Sequence, residues 1–98
     1  MLYYAMIKSF ADKETEHFYE TAKSRKIPST IHKVALRKLD YLNAAYILND
    51  LRVPPANRLE ALERELKGKY SIRINKQYRI VFSFENGNAY DVVITDHH

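Results

Sequence analysis

The C-terminal stretch GKYSIRINKQYRIVFSFENGNAYDVVITDHH most narrows what this chain can fold into. Its apolar residues recur at every second position over three runs, broken only by NKQ and ENGN. Side chains alternate across a strand, so Tyr70, Ile72 and Ile74 share one face while Ser71, Arg73 and Asn75 share the other. On the next run Tyr78, Ile80, Phe82 and Phe84 form the apolar row, and Arg79, Val81 and Ser83 the outer row. Joining the two apolar rows requires an even register, such as 74 opposite 78, which sets Arg73 against Arg79. Like charges directly across a ladder destabilise it by up to about 1 kcal/mol. The pattern therefore calls for an anion between or beside the two arginines.

Asn86 and Gly87 mark a second hairpin, since Gly87 accepts positive φ without steric cost. A two-residue turn would put Phe82 and Phe84 on the opposite face from Tyr90, Val92 and Ile94. A bulge at Gly87 would bring all five together, so an odd loop is expected there. Arg79 then shares its outer face with Val93, Thr95 and His97.

The N-terminal half changes period. Residues 1–10 (MLYYAMIKSF) are rich in strand formers and read as a first strand, with Tyr4, Met6 and Ile7 as core candidates. Asp12 offers an N-cap to a helix over DKETEHFYETAKSRK that turns Phe18 and Ala22 inward and is ended by Pro28. A second helix follows over IPSTIHKVALRKLDYLNAA, with Ile31, Val34, Ala35, Leu39, Leu42 and Tyr46 at helical spacing and Lys33 and Arg37 on the opposite side. ILNDLRVPPAN, with Pro54 and Pro55, reads as a loop; NRLEAL gives a short strand and ERELKGK a connection bending at Gly68. Helices gathered before a run of strands give an α+β architecture, two N-terminal helices packed on one face of a mostly antiparallel, strongly twisted sheet. A length of 98 residues without an internal repeat or linker fits a single domain spanning residues 1–98.

Composition excludes some chemistry. With no cysteine there is no disulfide framework, thiolate nucleophile or thiolate-bound zinc. Only two glycines leave no glycine-rich phosphate loop. MLYYAM is too short for a signal peptide, no apolar run reaches membrane length, and a cytoplasmic protein is expected. The net charge of +4 leans mildly towards a polyanionic partner.

Arg73, Arg79 and His97 gather on the outer face, with Glu60 on the neighbouring short strand. Arginine donates a planar fork of hydrogen bonds to phosphate, and histidine titrates near neutrality. Solvated sheet faces also carry arginines paired with acids, here Glu60, Glu85 or Asp91, and spacing alone does not separate the two readings. His97 and His98 point to opposite faces of a strand, which disfavours joint metal binding; no metal or other cofactor is expected. His17 and His32 read as surface or core-edge residues, and Tyr3, Tyr19 and Tyr41 as the tyrosines open to a wet surface.

MIKSF at 6–10, NRLEAL, GKYSIRINKQYRIVF, NGNAYDV and the ending TDHH resemble, in order and spacing, the HigB toxins of the RelE superfamily. The resemblance runs from Met6 to His98 and marks residues 1–5 as an N-terminal extension. It implies a toxin of a type II toxin–antitoxin pair that binds the ribosomal A site, cleaves mRNA without a metal and is silenced by a helix-turn-helix HigA antitoxin. By position, Arg79 matches the arginine on the scissile phosphate, and Asp96 and His98 match two members of an Asp-Tyr-His ending in which His97 replaces tyrosine. Glu60 follows Leu59 where the family carries His or Glu. Glu63 and Arg64 stand where Lys-Gly is common, leaving Arg64 and Lys67 as the available cations. The implied roles are charge stabilisation by Arg79 and Arg73, proton acceptance by Glu60 or His97, and proton donation by His98 or His97. Lys33 and Arg37 fall to RNA or ribosome docking. Same-fold relatives of the ParE kind, which act on DNA gyrase by binding, and a degenerate RNA-binding copy are the competing readings.

Overall fold

The computed structural model describes residues 7–96, so His97, His98, Met6 and the tyrosines at 3 and 4 lie outside it. Helix α1 spans Lys13–Thr21. Its start is the expected one, the Asp12 carboxylate accepting the Thr15 N–H at 2.8 Å. Its end comes earlier than Pro28. Ala22 adopts a left-handed φ of 63° and its N–H closes on the Phe18 carbonyl. The Ser24 hydroxyl then accepts from the N–H groups of Lys26 and Ile27 and donates to Glu14 at 2.6 Å, so a local side-chain network takes the backbone that periodicity alone extends as helix. Phe18 is wholly buried, while Ala22 is exposed and leaves the expected core.

Extended backbone at Pro28 opens a 3₁₀ turn, Ser29–Ile31, that runs straight into α2, His32–Ala44. Ile31, Ala35, Leu39 and Leu42 are buried as their spacing demands. Tyr46 is not, because the helix stops at Ala44 and extended Ala45 turns the next side chain outward, 74% exposed. His32 is a core-edge residue, its Nε2 hydrogen-bonded to the Ile27 carbonyl and its ring 4.8 Å from that of Phe18. The proline segment contains two further 3₁₀ turns, Leu48–Arg52 and Pro55–Asn57, and buries Leu51 and Asn57 completely.

Tyr19, read as open to a wet surface, is half-buried, and its hydroxyl donates to Asp40 at 2.9 Å, tying α1 to α2. Burial and the adjacent Asp40 carboxylate raise its pKa well above the ordinary phenol value. A pKa raised on folding means that the stabilisation is fully present below about pH 10, where the unfolded phenol ionises, and is lost as pH climbs beyond it. Urea melts at pH 8 and pH 10.5 should therefore show an alkaline loss of stability in the parent that is smaller in Tyr19→Phe; equal losses would refute the assignment.

Four antiparallel strands follow in sequence order: β1 Glu60–Ala61, β2 Tyr70–Arg73, β3 Tyr78–Glu85 and β4 Asn88–Asp96. The β2–β3 register is the even one, with Tyr70 opposite Phe82, Arg73 opposite Arg79, and the Ile74 N–H bonded to the Tyr78 carbonyl. The β3–β4 turn differs from the odd loop expected. Glu85 pairs with Asn88, and Asn86 and Gly87 both have positive φ, the two-residue turn that matches strand twist. The needed extra residue sits further along, between the Val81–Val93 and Ser83–Tyr90 pairs, where Asp91 takes a φ of 52°. Val92 and Ile94 thus join Phe82 and Phe84 as expected, whereas Tyr90 faces outward beside Ser83 and Ala89 takes its place inside.

The first strand is reduced, within the described residues, to parallel bridges from Ile7 to Ala89 and from Phe10 to Val92. Ser9 occupies the bulge between them, its hydroxyl accepting from the Asp91 N–H and its carbonyl from that of Val92. Both helices cover the sheet face bearing Ile72, Ile80, Phe82 and Val92, which forms the core. The opposite face is left for other work. Among the described residues no helix is long and apolar enough to cross a membrane.

Candidate active site

The outer rows of β2 and β3 meet at one end of the sheet, where the turn through Asn75 folds back over them. The Asn75 side-chain oxygen accepts from the N–H groups of Gln77 and Tyr78 at 2.8 and 2.7 Å, which locks the turn. Its carbonyl accepts from Arg73 Nε at 3.1 Å. Arg73 is thereby tied to the turn and Arg79 to the sheet: Arg79 Nη1 donates to the Ser71 hydroxyl at 3.1 Å and lies 3.8 Å from Glu60 Oε1. Ser71 is 2% exposed, pinned opposite Glu60 on one side and Val81 on the other. Glu60 comes within reach of Arg79 only because β1 pairs with β2 at that level.

Between these groups lies a cleft of about 430 Å³ lined by Arg58, Glu60, Ser71, Arg73, Asn75, Lys76, Tyr78 and Arg79. Four cations thus face one carboxylate. Arg79 is mostly withdrawn from water, at 18% side-chain exposure against 62% for Glu60, so its charge acts with less screening than a surface arginine's. Thr95 pairs with Arg79 from β4 and Val93 lies on the same outer face, as the alternation requires. Asp96, two rungs from Ile94, pairs with Tyr78 and accepts from Gln77 Nε2 at 3.3 Å, at the same end of the sheet but outside the cleft lining.

The remaining expected residues are not brought in. Arg64 and Lys67 ride an exposed 3₁₀ turn and its flank between β1 and β2, and Lys33 and Arg37 lie exposed on α2 in the layer that covers the other face. Among the described residues no three histidines or carboxylates gather as a metal site. Sequence reading missed Arg58, Lys76 and the buried Ser71. Lys76 was legible in principle, since a turn after Ile74 must lie at the Arg73–Arg79 end. Arg58 was not, because its position depends on a left-handed residue, φ 47°, before β1.

A family model described as RelE-like toxin of type II toxin-antitoxin system HigB matches residues 8–98. The chain belongs to the HigB-like toxins. Toxin HigB-1 of Vibrio cholerae is 48% identical over 93 residues, covering 94% of this chain and 98% of the relative. Endoribonuclease HigB of Proteus vulgaris is 28% identical over 93 residues, covering 95% and 100%. The fold of this HigB-like toxin resembles YafQ from E. coli, with a TM-score of 0.58 at 16% identity over 93% and 91% of the two chains. It also resembles the YoeB-YefM complex from Staphylococcus aureus, with a TM-score of 0.56 at 19% identity over 94% and 98%. In the HigB-like toxin described here, the match covers both arginine-bearing strands and the whole cleft.

Proposed function

We propose that this HigB-like toxin is an endoribonuclease that cuts mRNA in the ribosomal A site and is neutralised by a HigA-like antitoxin. The observation that carries the reading is the Arg73–Arg79 rung, two opposed cations on one edge of an open cleft, with Arg79 held from behind by Ser71 and Glu60. Such an arrangement is costly when empty and favourable around a phosphate.

The RNA supplies its own nucleophile. Its 2′-OH loses a proton as it attacks the adjacent phosphorus, and the 5′-oxygen of the next nucleotide gains one as it leaves, giving a 2′,3′-cyclic phosphate and a 5′-OH. The protein has to accept one proton, donate another and stabilise the extra negative charge on the pentacovalent phosphate. Arg79 and Arg73 take the charge. Glu60 is the proton acceptor within reach of Arg79, with His97 as the other candidate, and His98 or His97 donates to the leaving oxygen. Asp96 orients that C-terminal end. Lys33, Arg37, Arg64 and Lys67 stand outside the cleft and serve longer-range contacts with mRNA or the ribosome.

The basic cluster is small, so its salt-sensitive grip on RNA alone is weak and cleavage should depend on engaged ribosomes. The test is cleavage of a defined mRNA by purified toxin, with and without programmed ribosomes, followed by end-group analysis and by addition of a co-expressed helix-turn-helix partner. Ribosome-dependent cuts with cyclic phosphate ends, abolished by the partner, are expected. Equal cutting of naked RNA would overturn ribosome dependence, and no cutting together with DNA damage signalling would favour the gyrase-directed reading.

A further inference from the structure

We propose that Arg58 is a phosphate-contacting residue of the cleft and that the buried Lys38–Asn57 pair positions it; the proposal rests on the RNA-cleaving reading and adds residues to it. Lys38 lies on the inner side of α2, 4% exposed, where an ammonium without a partner would be strongly disfavoured. Its Nζ donates to Asn57 Oδ1 and sits 5.8 Å above the Tyr41 ring. Asn57 has no exposed surface. Its Nδ2 donates to the carbonyls of Leu51 and Val53 at 3.0 and 3.4 Å, and its N–H donates to the Pro54 carbonyl at 2.9 Å. The polar groups of Asn57 thus hold the bend of the proline segment from inside.

Arg58 is the next residue and stands on the other side of that bend. It takes φ 47° and ψ 57°, its N–H closing on the Pro55 carbonyl at 3.0 Å. A left-handed non-glycine residue costs roughly 1–2 kcal/mol and persists only where its surroundings enforce it. Here the enforcing group is Asn57, and the conformation delivers Arg58 to the lining of the cleft that Arg73 and Arg79 share while setting Glu60 on the rung of Ser71. Hydrophobic residues of similar volume could fill the Lys38–Asn57 space without the desolvation cost. What the polar pair adds is one defined path for the backbone between core and cleft. Arg79 is assigned to the reacting phosphate, so Arg58, which lines the same cleft from the segment before β1, takes the phosphate of a neighbouring nucleotide.

A double-mutant cycle separates positioning from general stability. Single-turnover cleavage of ribosome-bound mRNA is measured for the parent, Arg58→Ala, Lys38→Met and the double variant, with thermal melts of each. Arg58→Ala should raise the half-saturating concentration about tenfold, lower the log–log salt slope by about 1, and change the saturated rate less than threefold. Lys38→Met should shift the same quantities in the same direction, and the double variant should be no worse than Arg58→Ala. Effects that multiply, or an Arg58→Ala variant with unaltered half-saturation, would overturn the proposal. If Lys38→Met does not fold, Asn57→Asp, which keeps the acceptor for Lys38 but loses both donations to the bend, takes its place under the same criteria. If the parent itself cuts no mRNA, the cleavage reading falls, and the cycle is read instead on affinity for a short oligoribonucleotide, where additive losses would still refute the positioning role.

Discussion

Arg79→Ala should cleave ribosome-bound mRNA roughly a hundredfold more slowly than the parent at saturation, equivalent to about 3 kcal/mol of lost transition-state stabilisation. Arg79 is mostly withdrawn from water, and Ser71 and Glu60 hold it before substrate arrives. Charge that is already oriented needs no reorganisation when the phosphate gains its extra negative charge. Arg37→Ala provides the comparison, because Arg37 is exposed on α2 and stands behind the sheet from the cleft. It should weaken ribosome binding and leave the saturated single-turnover rate unaltered. Melting curves should place Arg37→Ala within about 0.5 kcal/mol of the parent and Arg79→Ala about 1–3 kcal/mol below it, because the buried Ser71 hydroxyl loses its bond to Arg79, with both variants still folded. A folded Arg79→Ala that cuts as fast as the parent would remove Arg79 from the chemistry and favour a binding role for the cleft.

Phe82→Ala should have the opposite signature, a large loss of stability with little change in the chemistry of the molecules that remain folded. Phe82 has no exposed surface, lies in β3 between two paired strands, and packs its ring 6.2 Å from Tyr70 and 6.4 Å from Phe84. Truncating such a ring costs about 3–5 kcal/mol, which is a large share of the roughly 5–15 kcal/mol that holds a domain of this kind together. The midpoint of thermal unfolding should fall by more than about 12 °C. Phe82 and Arg79 project from opposite faces of β3, so at a temperature where the variant is folded its saturated cleavage rate should stay within a few fold of the parent's. A variant that melts with the parent would show that the inner face of β3 is not the centre of the core.

What could be read from residues alone was whatever local periodicity controls. Alternation set the two faces of β2 and β3, and the even register that joins their apolar rows allowed Arg73 to stand opposite Arg79, because an odd register would have exposed one apolar row. The Asp12 cap and the Ile31, Ala35, Leu39, Leu42 stripe were legible for the same reason, since capping and helical spacing act over a few residues. Where several solutions satisfied one pattern, sequence could not choose. A single extra residue was needed between Phe82 and Ile94, and both Gly87 and Asp91 could have supplied it. Ser9 decided the matter by bonding the backbone at Asp91 from 82 positions away. The end of α1 and the left-handed Arg58 likewise depend on Ser24 and Asn57 bonding partners outside any periodic pattern, and Tyr46 turns outward because α2 stops at Ala44 and Ala45 is extended. The residue pattern alone was enough to specify a two-faced antiparallel sheet with Arg73 and Arg79 on the same side of it. That Glu60 and Arg58 close a cleft around them depends on long-range contacts no local pattern encodes, the pairing of β1 with β2 and the buried Lys38–Asn57 pair at the bend that leads into it.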